Sequence, residues 1–323
     1  MRRMDPGERA TEAEYLLISR RLRGIYGEAQ MDLRMKLASF EHAHKARVEK
    51  YRAEVAAGKI TEADFQAWMK GQLFQEQAWK QKQQQLAYSM AHVDEQALAM
   101  VNDGKTRVFG ENANYIAWQT ERKAGMNLGF GLYDRGTVNR LVREQPRLLP
   151  MPKIDEGKDV KYYNRAITNA ITQGILQGES LDEIIMRIST DLGEKGLNGM
   201  RRNARTAYTG AQNAGRMEGL RKAQELGVEV KKQWMATLDD STRDAHQELD
   251  GQTAEVDEPF QSSLGPIMYP GDPDADPANV YNCRCTLVYQ YTKFPASLDR
   301  VDDSGEHFGN MTYRQWKEAK GGG

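Results

Sequence analysis

The sequence is poor in cysteine, in net charge and in long apolar runs. Two cysteines among 323 residues cannot build the disulfide framework of a small secreted domain. Their placement as Cys283-Arg284-Cys285 suits a reducing environment. No run approaches the roughly 18 apolar residues of a membrane-spanning helix, and 39% hydrophobic residues with a mean hydropathy of −0.75 leave no membrane segment to expect. The opening MRRMDPGERATEAE is charged and has no apolar stretch, so a secretory signal is not expected either. A net charge of −1 and a pI near 6.6 exclude a strongly basic DNA-coating protein. Walker-type glycine loops, GxSxG elbows and paired-histidine helix motifs are missing from the sequence, which removes the commonest nucleotide, hydrolase and zincin signatures.

The near-zero charge conceals a division. Residues 235–323 carry seven basic against sixteen acidic side chains, a net of −9, whereas residues 1–234 carry +8. The length suggests about two domains. The asymmetry implies either different neighbours for the two parts or contact between them. An acidic surface that only keeps a small domain soluble is the plainer alternative.

Most of the chain reads as helix. Tyr15, Leu16, Ile18, Leu22, Ile25, Tyr26, Leu33, Leu37, Phe40 and Val48 recur at helical spacing and predict one long helix over 12–57. Thr61-Glu62-Ala63-Asp64 resembles a capping box and opens a second predicted helix over 62–102. That helix is so long and polar that it needs a partner, either the first helix or another protein. Asn102-Asp103-Gly104 reads as a turn, followed by a third helix over 107–124. Glycines between 125 and 136, then Pro146, Pro150 and Pro152, mark a connection. Helices are expected over 159–178, from Ser180-Leu181-Asp182-Glu183 (a second capping box) to about Gly193, and over 198–226.

After Gly227 the pattern changes. Val228 to Trp234 alternates as a strand and Cys285 to Tyr291 reads as a second, with a short helix over 241–249, a loop over 259–282, and a last helix capped by Thr312. The expected fold is mainly α with a small C-terminal α+β domain and long N-terminal helices. Its organisation is an extended helical arm over 1–125, a Gly/Pro-rich connection over 126–158, a helical domain over 159–227, a small α+β domain with the CxC over 228–292, and a tail over 293–323 whose closing glycines are expected to lack order.

The densest chemistry lies in the acidic part. His246, Cys283 and Cys285 are three good zinc ligands, and Asp239 or Asp240 offers a fourth. Residues two apart on a strand share a face, so both sulfurs can meet one ion. The alternative is that His246 packs its helix and the cysteines fill the core. His246-Gln247-Glu248 also fits the HxE of zinc deaminases, in which the Glu moves protons, and so raises a hydrolase or deaminase using His246, Glu248, Cys283 and Cys285. That signature requires Pro-Cys-x-x-Cys, whereas here Asn282 precedes Cys283 and a single residue separates the cysteines. Asp272 to Asp276 resembles the start of a calcium loop, but Pro277 and Cys283 occupy the positions of its glycine and closing Glu. Arg201, Arg205 and Arg216 fall near one helical stripe. They are candidates to contact DNA, as a DNA-binding module would, or to pair with the acidic part that follows.

The run Arg205-Thr-Ala-Tyr-Thr-Gly-Ala-Gln-Asn-Ala-Gly-Arg216, followed by Trp234, Asp239 or Asp240, Arg243, His246, Gly251 and Asn282-Cys283-Arg284-Cys285, resembles the head-morphogenesis (MuF-type) family of phage minor head proteins. The specific match covers about 200–290. The resemblance implies a structural minor capsid protein of a tailed bacteriophage, in the virion at the capsid interior near the portal and in the host cytoplasm during assembly. Its implied partners are the portal protein, capsid or scaffolding proteins and packaged DNA, and its implied roles are head formation, DNA packaging or ejection. It implies no enzyme; no cofactor is certain, and a structural zinc is raised by His246, Cys283 and Cys285 themselves and not by the resemblance. Some relatives carry toxin domains after the Cys-Arg-Cys, but the short stretch that follows Cys285 here leads to no such expectation.

Overall fold

The computed structural model describes residues 4–294 and 308–321. The expectation for the closing glycines falls largely on Gly322 and Gly323, outside the described residues. Two compact units form, each from separate stretches of chain: Met1–Ile18, Met100–Pro152 and Arg202–Gly323 in one, Ser19–Ala99 and Lys153–Arg201 in the other. The architecture is mainly α, with long N-terminal helices and a small antiparallel sheet towards the C-terminus.

The first helix, α1, spans Pro6–Ala56 and starts earlier than its apolar periodicity indicates. A local device sets the start. The carboxylate of Asp5 accepts the Glu8 amide at 2.9 Å, and Glu8 accepts the Asp5 amide at 2.8 Å, a reciprocal cap with Pro6 at the first helical position. The Thr61 capping box forms as read, with Asp64 N donating to Thr61 Oγ1 at 3.1 Å and Thr61 N to Asp64 Oδ2 at 3.0 Å. The helix it opens, α2 (Glu62–Trp68), lasts seven residues and yields to one π-helical turn, Met69–Leu73.

Then α3 runs from Gln77 to Ala124 without a break, straight through the expected turn at Asn102-Asp103-Gly104. Gly104 is there for its missing side chain, because a Cβ would stand 1.9 Å from Tyr208 Oη. Likewise α6 is a single helix, Leu181–Glu225, where the sequence suggested two. Its Gly193 and Gly196 lie where a Cβ would meet Gln30 and Tyr26 at 2.2 and 2.5 Å. In both helices the glycine marks a tight crossing, which a local reading confuses with a helix end. The shorter helices α4 (Arg135–Glu144) and α5 (Glu156–Leu176) precede α6, and the Ser180–Glu183 cap forms at 2.6 and 3.2 Å.

In the unit of 19–99 and 153–201, the partner demanded by the polar second helix is supplied by the chain itself. Phe40 packs against Trp79 with ring centroids 5.0 Å apart, and Trp79 meets Phe74 edge-on at 5.1 Å. Leu22, Leu37, Leu73, Leu86, Met90, Ile167, Ile184, Ile188 and Leu192 complete a buried core. Within it Asp94 accepts the hydroxyls of both Tyr26 and Tyr163, the latter at 2.6 Å.

The other unit holds the sheet. β1 (Glu229–Met235) lies between β2 (Thr253–Glu255) and β5 (Thr286–Lys293), all antiparallel, with Trp234 opposite Leu287. The alternation of β1 buries Val230, Lys232 and Trp234, as a two-residue repeat requires. The expected loop over 259–282 contains a hairpin, β3 (Phe260–Ser262) with β4 (Gly265–Ile267), and the short α8 (Pro277–Val280). Three-residue strands are too short to leave a periodic trace. α7 (Asp244–Leu249) follows β1, and α9 (Tyr313–Ala319) is capped by Thr312 with Gln315. Ile116, Phe130, Met217, Leu220, Trp234, Leu249, Phe260, Leu287 and Trp316 share one buried cluster with both cysteines.

Candidate functional site

Two segments of the sheet-bearing unit bring three side chains to one buried point. His246 enters from α7. Cys283 and Cys285 enter from the stretch leading into β5, where Asn282 turns the chain at φ 60° and donates its amide to Thr206 Oγ1 at 2.9 Å. His246 Nδ1 lies 3.7 Å from Cys283 Sγ and 3.5 Å from Cys285 Sγ. The Cys285 amide donates to Cys283 Sγ at 3.4 Å. All three side chains are buried, and their ligand atoms lie within 4.8 Å of one another. The opposite ring nitrogen, Nε2, faces the Asn279 backbone oxygen at 2.9 Å and Asn279 Oδ1 at 3.0 Å. The Asn279 amide is fixed in that orientation because its NH2 group donates to Ser262 Oγ at 3.0 Å. Trp234 closes the floor, its ring edge-on to the imidazole at 5.5 Å.

The electrostatics of the trio are strongly coupled. The hydrogen bond from Cys283, aided by the bond and charge of His246 and opposed by burial, brings the Cys285 thiol down to about 5. The same bond, with burial and the neighbouring sulfur charge, pushes Cys283 well up. Burial depresses His246, but the Cys285 hydrogen bond and charge and the Asn279 contacts outweigh it and raise the imidazole above its ordinary value. The pocket therefore favours a thiolate at Cys285.

One face of α6 holds the cysteine segment in place. Thr209 Oγ1 donates to the Cys283 carbonyl at 2.7 Å, and Gln212 Nε2 to Thr286 Oγ1 at 2.9 Å. Asn213 gives its NH2 group to the carbonyls of Thr209, Pro270 and Cys285 at 2.9, 3.0 and 3.3 Å and accepts the Leu287 amide at 2.8 Å. Arg216 donates to the Leu287 carbonyl at 2.7 Å. Polar side chains at helical three- and four-residue steps thus satisfy backbone groups that lack a strand partner, as buried amides and carbonyls require. Asn213 is a central site residue that sequence reasoning passed over. It stands inside the family-like run, but nothing in its neighbours reveals four partners lying up to 74 residues away.

Other sequence candidates are distributed differently. Asp239 is taken by Arg284, with both carboxylate oxygens on the guanidinium at 2.6 and 2.7 Å. That pairing brings its carboxyl down to about 2. Asp240 is exposed and stands outside the trio. Glu248, the proton carrier of a deaminase reading, is exposed on α7, two residues beyond His246 and so on a different helix face. Arg243 donates to the Tyr281 carbonyl. Gly251 adopts φ 80° and donates to the Trp234 carbonyl at 2.9 Å, returning the chain to β1. Arg205 is held by Glu12 at 2.6 and 3.2 Å and lies 3.4 Å over the Tyr15 ring. Arg216 is fully buried on Asp5. These two arginines pair with acids near the N-terminus, while Arg221 reaches the acidic part through Asp257 at 3.1 Å. Arg201 belongs to the other unit.

A long helix whose polar face secures a Cys-Arg-Cys segment over a buried histidine defines a helical protein closed by a small β-module. Residues 165–288, which include this whole constellation from Arg205 to Cys285, match the family described as Phage Mu protein F like protein. Minor head protein GP7 of Bacillus phage SPP1 is 32% identical over 227 residues, 69% of this chain and 72% of that protein. NAD(+)--arginine ADP-ribosyltransferase EFV of Enterococcus faecalis is 35% identical over 154 residues, 46% of this chain but 30% of that protein. An uncharacterized protein of Haemophilus influenzae is 27% identical over 183 residues, 55% of this chain and 36% of that protein. No solved structure matches. The chain belongs to the MuF-type family of phage minor head proteins.

Proposed function

We propose that the protein is a structural component of a tailed-phage head that joins the assembling capsid beside the portal, in the host cytoplasm, and remains at the inner face of the virion near the packaged DNA. The observation that carries this reading is the similarity to SPP1 minor head protein GP7, which extends over 72% of that protein. A match of this breadth reaches well beyond the cysteine module and includes the helical scaffold. A non-catalytic role is favoured over an enzymatic one on two grounds. The ADP-ribosyltransferase similarity covers 30% of that enzyme, and Glu248 is turned out to solvent instead of standing beside the histidine and cysteines. A direct DNA contact through Arg205 or Arg216 has little support, because both guanidiniums are already engaged by Glu12 and Asp5.

Mass spectrometry of purified particles from the source phage tests the proposal, with copies counted against the portal subunit. The expected result is a few copies per particle, together with co-purification of the portal protein when the two are co-expressed. Particles that assemble, package DNA and infect without the chain would overturn it.

A further inference from the structure

The geometry points to a zinc site in which His246 Nδ1, Cys283 Sγ and Cys285 Sγ are the three protein ligands and one water is the fourth. The spacing is the first argument. With Zn–S near ~2.3 Å and Zn–N near ~2.0 Å, a tetrahedral ion holds a sulfur and a nitrogen ligand about 3.6 Å apart. The two sulfurs stand 3.7 and 3.5 Å from His246 Nδ1. The second argument is the far side of the ring. Nε2 faces two oxygens of Asn279, which accept a proton and supply none, so Nε2 carries a hydrogen in either charge state of the ring, and Nδ1 is the nitrogen directed at the sulfurs that becomes the ligand once it is unprotonated. An imidazole that donates one N–H to a carbonyl while presenting the other nitrogen is the usual support of a histidine ligand. The third argument is the sulfur environment. The Cys285 amide directed at Cys283 Sγ stabilises a thiolate as a backbone donor does.

The donor set selects the ion. One imidazole and two thiolates suit zinc and disfavour calcium or magnesium, which take oxygen. Among the described residues no further His, Cys, Asp or Glu joins the group, so the fourth position is not a side chain of that kind. The cleft beside it has a volume near 10 Å³ and is lined by Thr237, Ser241, Thr242, Arg243 and Asn282 among others. That is room for about one water with polar partners. On binding, the protons still held by the sulfurs and by Nδ1 pass to solvent, and the ion joins α7 to the start of β5. It thereby closes a loop of 37 to 39 residues that the chain otherwise orders through the Asn279 contacts. Zinc here holds the β-module together, and the site is independent of whichever head component the protein meets.

The test uses the full chain, produced with zinc in the medium and purified without chelator. Elemental analysis is expected to give about one zinc per chain. Cobalt exchanged into the same site is expected to show tetrahedral d–d bands with sulfur-to-cobalt charge transfer from two thiolates. Removing the ion with a strong chelator should lower the melting temperature, and re-adding zinc should restore it. Cys283→Ser and Cys285→Ser should each abolish the cobalt charge-transfer band in its two-thiolate form. If those variants do not fold, the wild-type zinc content and cobalt spectrum decide alone. Less than about a tenth of an equivalent of zinc, no cobalt spectrum, or a Cys283–Cys285 disulfide in protein freshly purified under reducing conditions would overturn the proposal.

Discussion

The guanidinium of Arg216 is completely buried and one of its nitrogens, Nη2, reaches both carboxylate oxygens of Asp5 at 2.8 Å, across 211 positions of sequence. The same group donates from Nη1 to the Leu287 carbonyl at 2.7 Å and from Nε to Asn112 Oδ1 at 3.1 Å, and lies 5.3 Å over the Tyr115 ring. It therefore joins the cap of α1, the C-terminal half of α3 and the beginning of β5. A buried charge in this position is costly unless every partner is in place.

Arg216→Lys and Asp5→Ala are each expected to destabilise the protein by about 3–5 kcal/mol, since Asp5→Ala leaves the buried Arg216 charge without its partner and Arg216→Lys leaves buried acceptors of the guanidinium unmet. Lysine cannot reproduce the planar fork that meets three acceptors at once. Urea melts followed by tryptophan fluorescence read this directly. A wild-type midpoint for either variant would show that the pair does not hold the unit. The pair also sets an acid limit. Burial, the largest single effect, raises the Asp5 carboxyl, but the charge of Arg216 and the hydrogen bonds from Glu8 and Arg216 together outweigh it and the net shift is downward. Its contribution is complete above the unfolded value near 3.8 and fades as pH falls through the lower folded value. An Asp5→Asn variant should lose stability less steeply than wild type below about pH 4.

Asn213→Asp preserves the shape and the acceptor for the Leu287 amide but removes both N–H donors. Three buried carbonyls, of Thr209, Pro270 and Cys285, then lose that partner and face a carboxylate. A loss of about 3 kcal/mol or more is expected. Asn213→Leu should be comparably damaging, because it frees the Leu287 amide as well. Thermal melts measure both. A shift smaller than about 2 °C for the two variants would mean that the helix-to-cysteine ladder contributes little.

Gly271 and Gly210 meet back to back. Gly271 has φ 82°, and a Cβ on it would stand 2.7 Å from the Gly210 nitrogen. A Cβ on Gly210 would stand 2.8 Å from the Gly271 carbonyl oxygen. Both obstacles are backbone and cannot rotate away. Gly271→Ala adds the left-handed strain to the clash and should be worse than Gly210→Ala, by about 1 kcal/mol. Denaturant unfolding of the two variants checks the order, and the reverse order would refute this account.

Lys232 is buried on the inner face of β1, with Nζ donating to the Met268 carbonyl at 2.9 Å and standing 5.0 Å from the Phe260 ring centre. Burial, helped by the charge of Arg221, brings it down to about 8. Between that value and the ordinary one near 10.5, the unfolded chain holds a proton that the folded chain has released, so stability gains with rising pH. Wild type should gain on Lys232→Met by up to about 1.4 kcal/mol per pH unit between pH 8 and 10. A difference between the two proteins that stays constant over that interval would sink the prediction.

What could be read from the sequence was whatever a few adjacent residues decide among themselves. The Thr61, Ser180 and Thr312 caps formed as read because both partners lie within one turn. The strands at Val230 and Leu287 were visible because alternation is local. The order of Trp234, Arg243, His246, Gly251 and Asn282 to Cys285 was enough to indicate the family. Tertiary structure alone decided that α3 and α6 continue through Gly104, Gly193 and Gly196. A glycine that ends a helix and one that admits a neighbour look the same in the sequence, and only the side chain crossing it tells them apart. The arginine partners were hidden for the same reason: the acids that hold Arg205 and Arg216 lie 193 and 211 residues away. The front half of the chain, polar by composition, buries its Phe40, Trp79 and Leu86 because separate helices pool apolar faces that are each too narrow to form a core alone.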